Sequence, residues 1–207
     1  MLQVANPRVT VPYVATWSGE RTIPAVVVAR STGVGVRFLD EGLSDRDESG
    51  VLWTRVESRP GVGEPLFGQL HSMRQRRAMR RLLCQVCGGE SHRDDRGVLW
   101  LTRDYRGDWT GWPAGMATED PPVCLPCARM AARLCPSLRQ GHVFVRSRTH
   151  PLVGVRGVQY RPGGGRLEVV GEVTSTFDDP TVRWTVAHQV VRELLDCVIV
   201  GTGDDPL

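Results

Sequence analysis

The chain has 207 residues, 41% of them hydrophobic and 24% charged, which suits a folded globular protein and is too rich in core formers for a disordered one. All 26 basic residues are Arg, and without Lys there is no Walker A phosphate loop, no Schiff-base enzyme and no kinase-type catalytic lysine. The net charge of +3 hides a segregation: residues 1–70 carry −1, residues 71–165 carry +9 and residues 166–207 carry −5. The centre of the chain is therefore expected to meet a polyanionic or acidic partner, unless the acidic flanks fold back and neutralise it.

The first residues lack a basic segment followed by an apolar one, and no apolar stretch approaches the ~20 residues of a membrane span. A cytoplasmic location with reduced thiols and no membrane partner is the expectation. From residue 8 to about 59 the pattern is β-structure. Val9, Val11 and Tyr13 alternate, residues 25–29 read as a strand, and Val34, Val36 and Phe38 alternate beyond a turn. Asp45, Asp47, Ser49 and Gly50 match the opening of a calcium loop, but Val56 stands where its closing Glu belongs, so a plain hairpin turn is expected before the strand at 51–55. Residues 59–68, rich in Gly and Pro, read as a linker. Ser72 and Gln75 then form a capping box that starts a helix over 73–83.

A second helix is expected over 125–134, stopping at Cys135 and Pro136, followed by a β-meander over 143–146, 153–160 and 167–173. Asp179 and Pro180 form a helix start, and Val182, Val186, Val190 and Leu194 at spacing four predict a helix from there to about 196. A short strand at 198–200 closes the chain. The expected fold class is α+β, mostly antiparallel β-strands with a few helices around a four-cysteine zinc-knuckle module. Three regions follow: a β-rich region at 1–68, a four-cysteine region with a basic helix and an inserted hairpin at 69–140, and the β-meander with its C-terminal helix at 141–207.

Cys84 and Cys87, then Cys124 and Cys127, are two CxxC pairs 36 residues apart. Four thiolates in two tight pairs supply a tetrahedral shell for Zn2+, with redox and iron–sulfur use as the lesser alternatives. A closed shell of this kind has no open position for substrate, so the zinc is read as structural. The gap between the pairs is expected to form a hairpin carrying Trp100, Tyr105, Trp109 and Trp112. Cys135 and Cys197 fall outside the pattern and read as buried thiols.

Catalytic motifs are missing: no His-x-Glu, His-Glu-x-x-His, Gly-x-Ser-x-Gly or Gly-x-Gly-x-x-Gly occurs. One enzymatic alternative comes from recombination endonucleases of the HNH class, which also hold two CxxC pairs around zinc. His92, Asp94 and Asp95 resemble their His-Asp cluster, but Ala128 stands after the second pair where those enzymes carry Asn, and the sole Asn is Asn6. The reading leans away from an enzyme, and no small-molecule substrate is inferred.

The residues 76–138 carry a further likeness. Arg76-Arg-Ala-Met-Arg-Arg-Leu-Leu-Cys84-Gln-Val-Cys87-Gly, Gly97-Val-Leu-Trp-Leu, Trp112-Pro-Ala-Gly-Met, Pro121-Pro-Val-Cys-Leu-Pro-Cys-Ala and Leu134-Cys-Pro-Ser-Leu resemble a family of uncharacterised actinobacterial and actinophage proteins with two CxxC pairs. That resemblance implies a mobile-element setting and supplies no catalytic residues. It agrees with a GC-rich gene, inferred from the lack of Lys, one Asn and two Ile. The resulting expectation is a non-enzymatic zinc-binding accessory protein of a phage or mobile element, contacting DNA or a DNA-bound protein such as a recombinase. Arg74, Arg76, Arg77, Arg80 and Arg81 are the expected phosphate contacts, and Trp109 and Trp112 the expected partner or base contacts.

Overall fold

The computed structural model describes residues 10–164 and 166–203. Val9 and Asn6 lie outside them. The chain forms β1 (Ala15–Trp17), β2 (Val27–Ala29), β3 (Val36–Phe38), β4 (Leu52–Trp53) and β5 (Pro65–Leu70), then α1 (Ser72–Arg81). The cysteine region adds β6 (Arg93–Asp94), β7 (Gly97–Arg103), β8 (Met116–Thr118) and α2 (Leu125–Leu134). The remainder is β9 (His142–Thr149), β10 (Leu152–Gly163), β11 (Arg166–Thr176) and β12 (Thr185–Thr202). An eight-stranded sheet runs β11-β10-β12-β9-β7-β6, with β4 and β8 also paired to β12. It draws strands from all three sequence regions. The α+β class, mostly antiparallel with two helices and a four-cysteine cluster, is as the sequence implied. Among the described residues no helix is long and apolar enough to cross a membrane.

The central strand corrects the largest sequence expectation. The helix expected from 180 to 196 is absent: the Asp179 carboxylate accepts the Thr181 N–H at 2.8 Å but caps only a short 3-10 turn, Pro180–Trp184. Beyond it, 18 residues run as β12. A spacing of four is two strand repeats as well as one helical turn, so Val182, Val186, Val190 and Leu194 fit both. The β-branched residues among them, with Val191, Val198, Ile199 and Val200, favour the strand. The first half of β12 pairs with β10 and the second with β9. Asp196, with φ 47, marks the changeover, and its carboxylate accepts the Thr149 hydroxyl at 2.6 Å.

Three other expectations change. The linker at 59–68 contributes its end to β5, which pairs antiparallel with β1. The helix cap sits one residue earlier than the capping box placed it: His71 Nδ1 accepts the Arg74 N–H, and Ser72 is already helical. Val11 and Tyr13 form no strand; the Tyr13 N–H instead donates to Val86 O at 2.9 Å. The calcium-like segment is a turn, in which Asp45 pairs with Arg55 and Asp47 accepts from Trp53 Nε1 and Arg80.

Both faces of β7 and β9 are covered, which explains their unbroken apolar runs. Val98, Trp100, Val143 and Val145 face a core shared with Trp112, Met116 and Leu194. Leu99, Leu101 and Phe144 face the cysteines, Val123 and Ala128 of α2. Helix α1 lies on β10 and β12 through Met79, packed with Trp53, Val155 and Val190. Gln75, fully buried, tethers it: its Nε2 donates to Glu119 O at 2.7 Å and Val190 O at 2.9 Å, and its Oε1 accepts the Val190 N–H at 3.1 Å.

Candidate metal centre and charged surface

Helix α1 ends at Leu82 in a left-handed conformation, φ 53, which turns the chain into the first cysteine pair. The Gly88 N–H donates to Cys84 O at 2.8 Å and the Cys84 N–H to Gly89 O at 2.7 Å. Backbone N–H groups of Val86, Cys87 and Cys124 point at the Cys84 sulfur, and that of Gly89 at Cys87. Gly88 has φ +71 and lies against the Tyr13 ring, where a Cβ would sit 3.0 Å from ring carbons; a side chain there is both strained and crowded. The second pair opens α2, with Cys124 as its N-cap and Cys127 in its first turn. Between the pairs the chain makes the β6–β7 hairpin and returns through β8. Hydrogen bonds from Gln85 N to Pro122 O and from His92 N to Val123 O, both 2.9 Å, hold the two pairs together.

The four Sγ atoms lie within 4.8 Å of one another, with Cys87 and Cys124 3.8 Å apart. Sulfurs at about 2.3 Å from a common tetrahedral centre stand roughly 3.8 Å apart, so the spacing suits a metal ion. All six cysteines are free thiols. Burial pushes the Cys84 thiol up, and burial together with the neighbouring sulfurs pushes Cys127 up. Crowded thiols oppose one another's ionisation, and a dication among them removes that opposition. Among the described residues this is the one group of three or more His, Cys, Asp or Glu placed to hold a metal. Cys135 lies outside it, its sulfur 3.0 Å from Ser137 Oγ, and Cys197 packs beside the core of β7 and β9.

The five arginines of α1 separate. Arg74 is buried, its guanidinium forked onto Glu20 at 2.6 and 2.7 Å and donating to Ala15 O at 2.7 Å. Arg80 pairs with Asp47 at 2.7 Å. Arg76 lies over the Trp53 ring at 4.3 Å. Only Arg77 and Arg81 are exposed, so the five expected phosphate contacts do not face solvent as a unit. The acidic N-terminal flank has folded back onto the helix at two points. Exposed arginines continue instead from α2, at Arg129, Arg133 and Arg139, inside the stretch 121–165, which carries no Asp or Glu. Among the described residues Arg77, Arg81, Arg133 and Arg139 have no acidic partner.

The tryptophans also divide. Trp112 is 7% exposed and belongs to the core, whereas Trp109 is 43% exposed. The expected aromatic hairpin is thus partly sheet, since Trp100 sits buried in β7. His92 and Asp94, the nuclease-like pair, both face Arg146: His92 Nδ1 accepts from it at 2.9 Å and Asp94 Oδ1 lies 3.2 Å away. A cation between them is the reverse of the donor set a magnesium ion needs. His188 falls in the segment expected as the C-terminal helix. It lies on β12 with Nε2 3.1 Å from Glu172, lining a cleft of about 830 Å³. No protein-family model, curated protein or solved structure matches the chain.

Proposed function

We propose that the four cysteines hold one structural Zn2+ and that the module so ordered presents arginines to the phosphates of a nucleic acid. In this reading the protein is a non-enzymatic accessory factor acting in the cytoplasm, in the DNA transactions of an actinobacterial phage or mobile element. Zinc is favoured over other ions because a closed set of four thiolates suits a tetrahedral, redox-inert dication. The observation that carries the nucleic-acid reading is the set of exposed arginines without acidic partners, Arg77 and Arg81 leading into the first cysteine pair and Arg133 and Arg139 following the second. Arginine forks match phosphate oxygens and give sequence-independent affinity.

The test is fluorescence anisotropy with labelled DNA across a salt series. Replacing Arg81, Arg133 and Arg139 together with Gln should weaken binding and flatten the slope of log K against log salt by roughly 0.9 for each lost duplex contact. Melting temperature should barely change, because all three side chains are exposed. Unchanged affinity with an unchanged slope refutes the surface. Co-purification with a site-specific recombinase in the absence of DNA binding transfers the role to a protein partner.

A further inference from the structure

The loop that leaves β7 at Arg103 and re-enters the sheet at Met116 is pinned at one end and open at the other. Trp112 and Pro113 are buried, and the Tyr105 ring stands edge-on to Trp112 at 6.4 Å and 72°. Local turns, Asp108 N–H to Tyr105 O at 2.9 Å and Trp112 N–H to Trp109 O at 3.3 Å, fix the loop's shape. Tyr105 and Trp109 are left 38% and 43% exposed. With Trp112 they wall a cavity of about 460 Å³, within the size range of small-ligand sites.

Glu119 and Asp120 also line this cavity. The Asp120 carboxylate accepts no hydrogen bond among the described residues; only its backbone N–H is bonded, to Thr118 Oγ1. The protein around the cavity and the neighbouring Glu119 charge push the Asp120 carboxyl upward. Such a group gains from a ligand that brings N–H donors. Ser137 and Leu138, in the turn after α2, complete the wall. They directly precede Arg139, so a strand following the arginines of the proposed surface arrives at this cavity.

We infer that the Tyr105–Trp109–Trp112 cavity takes one unpaired guanine base from a nucleic-acid strand, stacked on the aromatic rings with its donor edge on a floor carboxylate. The inference rests on the nucleic-acid reading above. Any base stacks on an aromatic face. A carboxylate only accepts, and guanine alone offers two adjacent donors, N1–H and the 2-amino group, for its two oxygens. Adenine, cytosine and thymine each place an acceptor beside their donor, which a carboxylate repels. An alkylammonium ion also suits aromatic rings and carboxylates, and Asp108 joins Glu119 and Asp120 in the wall against Arg103. The base is favoured because the wall runs into the turn that carries Arg139, and the cation is an outcome of the test.

The test uses the intact, zinc-loaded protein with labelled oligo(dT) and with the same strand carrying one central dG, dA or dC. The dG strand should bind about tenfold tighter than the others, as expected for one bidentate base contact. Asp120→Asn should abolish that preference while retaining oligo(dT) binding, and Trp109→Ala should weaken all four strands. Free guanosine monophosphate should compete with the dG strand. Equal affinity for all four strands overturns the guanine site and leaves the arginine surface standing. Binding of guanosine monophosphate, lost in Asp120→Asn, without binding of any strand does the opposite. Competition by tetramethylammonium chloride beyond that of sodium chloride at equal ionic strength overturns the base in favour of a cation.

Discussion

Replacing Arg74 with Gln should destabilise the protein far more than the same change at Arg77, three residues along the same helix. Arg74 and Glu20 are 7% and 8% exposed and meet through two short bonds. Removing one partner of a buried ion pair strands the other and costs about 3–5 kcal/mol. The Glu20 carboxyl gives a second measure. Burial pushes it up, but the Arg74 guanidinium, the Trp17 and Arg59 amides and His71 outweigh burial and bring it from 4.5 down to about 2. A depression of that size corresponds to roughly 3 kcal/mol of preference for the ionised form in the folded state. Because the folded value is the lower one, this stability is fully present above pH 4.5 and is lost as pH falls toward 2. Urea denaturation at pH 7 with zinc present should show Arg74→Gln about 3 kcal/mol below wild type and Arg77→Gln within about 0.5 kcal/mol of it. The double variant with Glu20→Gln should lose less than the two single losses combined. The advantage of wild type over Glu20→Gln should shrink between pH 5 and pH 3, a difference in which any acid release of metal cancels. An Arg74→Gln variant as stable as Arg77→Gln would refute the buried pair and return Arg74 to the phosphate-binding surface.

Freshly prepared reduced protein should contain about one zinc per chain by metal analysis, and Cys84→Ser should lower metal content and unfold the region around α2; iron in place of zinc overturns the identity of the metal, and the absence of both zinc and iron overturns the site. Gln75→Leu removes the partner of the Glu119 and Val190 backbone groups and should cost at least about 2 kcal/mol in chemical denaturation, since buried polar groups are stranded. Gly97 has φ +113, and a Cβ there would lie 2.2 Å from Ser147 O; Gly97→Ala should lower the melting point by several degrees, equivalent to about 2 kcal/mol, with loss of amide protection along β7 and β9.

The four-cysteine cluster was legible in the chain because much of its information is local. Two residues between cysteines make a knuckle whatever surrounds it, and Gly88 marks the sharp turn. The same holds for α2, bounded by Pro126 and Pro136, and for the β10–β11 hairpin; the meander expected across 143–173 is interrupted, because β9 pairs with β12 and β7 and not with β10. The +9 charge of residues 71–165 likewise marked the part of the chain where arginines outnumber acids. What the chain order could not decide was which periodicity wins and which charges meet. A spacing of four serves helix and strand alike, and β12 became a strand because β10 and β9 stand ready to satisfy its backbone on either side. Arg74 looked like its neighbour Arg77 until Glu20, 54 residues away, closed on it. The cavity beside Trp109 needed Ser137 and Leu138 to arrive from the far side of α2. Local stereochemistry is written in adjacent residues. Ion pairs, sheet partners and cavities join residues distant along the chain, and only folding brings them within reach of each other.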